Sequence, residues 1–165
     1  MELISIKTLS CNHLLKKFDC GIDELNNYLK RYAYKNDEEN IGKTYLLMDD
    51  KTIVGYYTLA NGSISYDNLP NGYKNLPKYP VPIIKLARLA VDKKLQKQSF
   101  GKILLYSIFK KVYVYSSKIA SYGLVVDAKP EARGFYEHFG FIQLIDNGTY
   151  FLSTKMIGEY LNINQ

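Results

Sequence analysis

From Ile83 to Val91 the chain is apolar at every position except Lys85 and Arg88. A nearly continuous apolar run of that length is the pattern of a strand buried on both faces, not of one that alternates between core and water. Such a strand requires neighbouring strands beside it and helices packed over it. Arg88 lies inside this run and must find a partner or line a cleft, because an isolated charge is costly to bury.

The rest of the chain supplies those neighbours. Ile4 to Leu9 reads as a first strand, continuing an alternation that begins at Met1. Phe18-Asp19-Cys20-Gly21 reads as a turn, and Asp23 as the cap of a helix running to about Tyr34, with Leu25, Leu29 and Tyr32 on one face. Thr44 to Met48 and Ile53 to Leu59 flank Asp49-Asp50-Lys51-Thr52 and predict a hairpin. Asn61 to Pro82 holds four of the five prolines and reads as a long connection. Ile103, Leu104, Ile108 and Val112 predict a helix from Phe100 to about Ser117. Leu124 to Asp127 is a short buried strand, and Pro130 opens a helix that must stop by Gly140. Phe141 to Ile145 and Tyr150 to Met156 close the pattern as strands. The expectation is one α/β (α+β) domain over residues 1–165, with a central mixed sheet of about six or seven strands and helices on both faces.

Composition excludes several classes. With 47% hydrophobic and 23% charged residues the chain is not intrinsically disordered. No apolar run reaches the roughly 18 residues of a membrane span. The first residues lack the basic region and cleavage site of a signal peptide. A soluble, cytoplasmic protein with no membrane partner is expected. Lys and Arg number 22 against 16 acids, a balance of +6 that favours a polyanion or an anionic cofactor. Cys11 and Cys20 flank His13, but the spacing is irregular and no fourth ligand stands out. No metal is expected, and the cysteines read as free, partly buried thiols.

Two segments carry chemistry. Gln96-Lys97-Gln98-Ser99-Phe100-Gly101 lies between the apolar strand and the following helix, where backbone N–H groups and the helix dipole hold a diphosphate. Lys97 and Lys102 add charge. Further on, Val125-Val126-Asp127-Ala128 leads to Gly134-Phe135-Tyr136-Glu137-His138-Phe139-Gly140-Phe141. A phenol is protonated at neutral pH and can give its proton to a departing thiolate. His138 falls two helical positions from Tyr136 and points elsewhere, as a surface or supporting residue. A cradle for a pyrophosphate followed by a proton donor is what coenzyme A-dependent acyl transfer needs.

These segments resemble a known family. Gln96-x-x-Ser99-x-Gly101 resembles the Gln/Arg-x-x-Gly-x-Gly/Ala acetyl-CoA motif of the GNAT N-acetyltransferases, with Ser99 in place of the first glycine. Ala132-x-x-Phe135-Tyr136-x-x-x-Gly140-Phe141 is similar to the family segment whose tyrosine is the general acid. The resemblance implies the GNAT fold with its splayed sheet. It implies acetyl-CoA bound by Leu89, Ala90, Val91, Gln96, Lys97, Gln98, Ser99, Phe100, Gly101 and Lys102, an oxyanion held by the N–H near Val91, and Tyr136 as catalytic acid. Phe18-Asp19-Cys20-Gly21, Leu25, Tyr28-Leu29, Gly55-Tyr56-Tyr57-Thr58-Leu59 and Ala87-Arg88-Leu89-Ala90-Val91-Asp92 further resemble the GNAT toxins of bacterial type II toxin–antitoxin modules, over about Cys11 to Met156. That resemblance implies acetylation of the α-amine of aminoacyl-tRNA, arrest of translation, a homodimer and a ribbon-helix-helix antitoxin partner. Lys30, Arg31, Lys35, Lys78, Lys93, Lys94 and Arg133 are the basic residues placed to meet RNA, and Arg88 is expected to be structural or to line the active site. A GNAT enzyme acting on a small-molecule or protein amine is the alternative within enzymes. A coenzyme A-binding protein without catalysis is the alternative outside them.

Overall fold

The computed structural model describes residues 4–163; the alternation read over Met1 to Leu3 lies outside them. Hydrogen bonding orders seven strands β1-β2-β3-β4-β5-β7-β6, mostly antiparallel and flanked by helices. Contacts divide the chain into two compact units. One is the chain to Ala60 with Ala87–Ile108, and the other is Asn61–Leu86 with the chain from Phe109.

In the first unit, β1 (Ser5–Thr8) leads to a helical stretch of α1 (Asp23–Asn27), a wider π turn (Tyr28–Tyr32) and α2 (Ala33–Glu38). The helical stretch thus runs past Tyr34, and Asp23 does not cap it. The N-cap position falls on Ile22, and Asp23 with Glu24 lies in the first turn, where acids favour the helix dipole. β1 pairs antiparallel with β2 (Lys43–Asp49), and β2 with β3 (Thr52–Ile64). The Thr44 and Thr58 hydroxyls, both buried, satisfy each other at 2.8 Å across this hairpin. The end of β4 (Val81–Val91) passes close to β3, where a Cβ on Gly55 would stand 2.6 Å from the Ala90 carbonyl oxygen. Only glycine fits there. Phe18, Tyr28, Leu29, Ala33, Leu46, Tyr56 and Ala90 form the core of this unit. α3 (Phe100–Ser116) begins here; Leu104 and Ile108 are fully buried, but Ile103 is 42% exposed and faces solvent instead of the core.

In the second unit, β5 (Gly123–Asp127) runs parallel to the start of β4, with Ile84, Lys85 and Leu86 opposite Leu124, Val125 and Val126. After α4 (Arg133–His138), β6 (Ile142–Gln143) and β7 (Thr149–Ser153) continue the sheet antiparallel to β5. Leu69, Val81, Ile83, Val125, Leu144 and Phe151 pack together, with Tyr122 stacked on Phe151. The expected connection from Asn61 to Pro82 is shorter than read, because β3 continues to Ile64 and β4 starts at Val81. The last expected strand also stops early. Ser153 Oγ accepts the Met156 N–H at 3.1 Å, an N-cap that turns the chain into α5 (Thr154–Ile163). Among the described residues no helix is long and apolar enough to cross a membrane.

Candidate active site

The segment expected to cradle phosphate enters a 17-residue helix through two left-handed residues, Lys97 at φ 62° and Ser99 at φ 67°. Alternating backbone hand turns successive N–H groups to one side, which makes an anion-binding concavity. The N–H of Ile103 bonds to the Ser99 carbonyl at 3.2 Å and opens the helical hydrogen-bond series. Among the described residues, the N–H groups of Ser99, Phe100, Gly101 and Lys102 find no protein acceptor. They sit at the positive end of α3, and the flanking Lys97 and Lys102 are exposed. Unmet donors, a helix dipole and two cations fit a diphosphate in sign and size. The serine takes up the conformation that glycine would adopt without strain, at the expense of its own Cβ.

The Gln96 side chain braces this turn from behind. Its Nε2 donates to the carbonyls of Cys20 and Val91, each at 3.0 Å, so the amide ties the helix entrance both to the Phe18–Gly21 turn and to the end of β4. That turn is itself fixed. Asp19 Oδ1 accepts the Gly21 N–H at 2.8 Å and Asn26 Nδ2 at 2.9 Å, while Asn26 Oδ1 accepts the Cys20 N–H at 2.9 Å. Lys93 Nζ stands 2.6 Å from Asp19 Oδ2, and the Lys93 N–H bonds to the Asp19 carbonyl. The Lys93 ammonium, with the Gly21 and Asn26 donors, holds the Asp19 carboxyl well below the usual carboxylate range. Lys93 is therefore engaged with Asp19, in a pair that stays partly open to solvent. Sequence reasoning passed over Asp19 as a turn residue and missed Asn26, a polar residue only 8% exposed that carries no burial signal in the sequence.

Leu89 and Val91 are half-buried and Ala90 is buried. The Asp92 N–H bonds to the Val54 carbonyl at 2.8 Å, on the β3 side. Successive residues of a strand alternate edges, so the N–H groups of Leu89 and Val91 are aimed at the opposite edge of β4. The Val91 carbonyl shares that edge, where it meets Gln96.

Tyr136 is held by α4. It is 5% exposed, with the rings of Phe135 and Phe141 edge-on at 5.2 and 5.3 Å, and burial pushes its phenol above the ordinary tyrosine range. It is protonated at any physiological pH. Its carbonyl accepts the N–H of Phe141 at 3.2 Å across Gly140, whose φ of 90° closes the helix. Glu137 accepts from Tyr150 at 2.9 Å, and His138 is exposed at the surface. Arg133 Nε is buried with no hydrogen-bond partner among the described residues.

Other expected residues fall elsewhere. Cys11 and Cys20 are free thiols; Cys20 is buried as anticipated, whereas Cys11 is exposed. His13 Nδ1 is occupied by Ser10 at 3.0 Å, and no cluster that could hold a metal occurs among the described residues. Lys30, Arg31, Lys35, Lys78 and Lys94 are exposed.

Comparison with known proteins identifies the family. The acetyltransferase (GNAT) domain family matches residues 16–151. The tRNA-acetylating toxin of Mycobacterium tuberculosis is 34% identical over 125 residues, 75% of this chain and 75% of that one. The structure of AtaT complexed with acetyl-methionyl-tRNAfMet superposes with a TM-score of 0.89 at 29% identity, covering 96% of this chain and 99% of that one. A tyrosine-to-phenylalanine variant of the AtaT toxin, bound to the C-terminus of the antitoxin AtaR and acetyl-CoA, superposes with a TM-score of 0.83 at 27% identity, covering 98% and 99%. This chain belongs to the GNAT acetyltransferase family.

Proposed function

We propose that this protein acetylates the α-amine of the aminoacyl group on charged tRNA and thereby blocks translation, as the toxin of a toxin–antitoxin pair. The observation that carries the reading is the 34% identity to a tRNA-acetylating toxin, extending over three quarters of both chains. The superposition on AtaT in complex with an acetylated aminoacyl-tRNA supports it further. The net charge of +6 suits an RNA acceptor, whose binding then weakens steeply with salt.

Acetyl-CoA brings the thioester. Within the chain, the N–H groups from Ser99 to Lys102 would hold its diphosphate, with Lys97 adding charge and Gln96 fixing the turn. The Leu89 and Val91 N–H groups offer donors along β4, the second positioned to polarise the acetyl oxygen. Tyr136 holds a proton at Oη for the thiolate that leaves as the new amide bond forms, and the proton shed by the amine nitrogen restores the phenol through solvent. An acceptor amine that has lost its proton attacks directly, since no residue pattern here supports a covalent acyl-enzyme.

The same reading treats residues 1–165 as one acetyltransferase domain, working in the cytoplasm as a homodimer and neutralised by a ribbon-helix-helix antitoxin. Incubation with radiolabelled acetyl-CoA and bulk charged tRNA tests the acceptor. Label in the aminoacyl fraction is the expected result. Label confined to protein or small amines would replace it with the reading of a GNAT enzyme for those acceptors.

A further inference from the structure

On β4, three residues before Val91, Arg88 is half-buried and its guanidinium carbon lies 3.5 Å from the centre of the Tyr28 ring. Tyr28 is 4% exposed and opens the π turn in the first helical stretch. Turns of this kind are rare and concentrate at functional sites. Beside it, Tyr56 is fully buried, and its hydroxyl donates to the Leu25 carbonyl at 2.7 Å. An aromatic floor thus supports one face of the arginine. Yet among the described residues Arg88 has neither a carboxylate partner nor a hydrogen bond.

That combination is unusual for a structural arginine. A half-buried cation is normally neutralised, because desolvation is otherwise uncompensated. Stacking on a ring offsets part of that penalty and fixes the guanidinium plane, while leaving its N–H edge unsatisfied. An oriented, unpaired guanidinium edge matches the two oxygens of a phosphate. Three residues along an extended strand place Arg88 ~10 Å from Val91. In an aminoacyl-tRNA, the acceptor amine is separated from the nearest phosphate by one ester and one ribose, a comparable span.

We infer that Arg88, oriented by Tyr28, binds the phosphodiester nearest the aminoacyl ester of the acceptor and so sets the position of the amine. This rests on the aminoacyl-tRNA reading above. Arg88 is then a substrate-binding residue that distinguishes a nucleotide ester from a free amine.

The test compares two synthetic acceptors, a 3′-O-aminoacyl-adenosine and the same ester carrying a 5′-phosphate. Wild type should prefer the phosphorylated ester. Arg88→Ala should lower kcat/KM for that ester about tenfold more than for the unphosphorylated one, with the KM for acetyl-CoA unchanged. Arg88→Lys, which keeps charge and stem but not the planar edge, should restore part of the preference, and it carries the test should the alanine variant not fold. Equal losses on both acceptors, or a raised KM for acetyl-CoA, would overturn the assignment of Arg88 while leaving the acceptor reading intact. A wild type that acetylates neither ester nor charged tRNA would overturn the acceptor reading and this inference together.

Discussion

Gln96 Nε2 lies 3.0 Å from the carbonyl oxygen of Val91, five residues earlier in the chain, and the same amide reaches the Cys20 carbonyl. One side chain therefore sets how the end of β4 meets the entrance to α3. The glutamine of the acetyl-CoA motif works here as a brace. Its own amide is spent on protein carbonyls, and the donors left open for an anion are backbone ones.

Replacing Gln96 by Ala removes both bonds and leaves two carbonyls to water. The turn loosens while the cores stay intact, so the KM for acetyl-CoA should rise about tenfold and kcat should change less. Steady-state kinetics at saturating acceptor measure the split. A fall confined to kcat would mean that the brace serves the reacting centre and not cofactor binding.

Asp19 is the second fixed point, through Lys93 at 2.6 Å. Its carboxyl titrates lower in the folded than in the unfolded chain. The stability it adds is therefore present above the ordinary carboxylate range and lost as pH falls through it. In Asp19→Asn the acid limb of the stability profile should flatten. Urea unfolding of both proteins from neutral to acid pH checks this, and parallel acid limbs would remove Asp19 as the cause.

Ser99 pays a conformational penalty at φ 67° that glycine would not. A left-handed conformation costs a non-glycine residue ~1–2 kcal/mol, partly offset by the greater entropy glycine loses on folding. Ser99→Gly should accordingly raise Tm by about 2 °C and hold or tighten acetyl-CoA. Calorimetric titration reads the second effect. A large loss of affinity would identify the serine hydroxyl as a phosphate ligand.

Tyr136→Phe should keep the fold and acetyl-CoA affinity and lose about a hundredfold or more in kcat, the usual contribution of a positioned acid. Because burial raises the phenol, wild-type turnover should show no loss from Tyr136 deprotonation below the ordinary tyrosine range. The neutral phenol also adds stability at neutral pH, which is lost as alkali ionises the unfolded chain. Unchanged turnover in the variant would take the acid role from Tyr136.

Much of this was legible along the chain. The run from Ile83 to Val91 is a local pattern that side-chain period decides, while Ser99 and the Tyr136 segment stood out through the family resemblance. Ser153 as a helix cap, with Ile157 and Leu161 on one face behind it, was equally local but was masked by the β-rich Tyr150–Leu152 run before it. Asn26, by contrast, gave little sign of being braced between Asp19 and Cys20, since a polar residue in a helix usually faces water.

The sequence by itself determined the strand–turn–helix order, the tyrosine and the apolar periods, because each depends on residues close together in the chain. Only the tertiary structure decided what Gln96, Asp19, Lys93 and Arg88 touch. Their partners lie up to 76 residues away, as Cys20 does from Gln96. Polar and charged side chains carry no period that names a distant partner, so their roles are settled only when folding places acceptors and rings beside them.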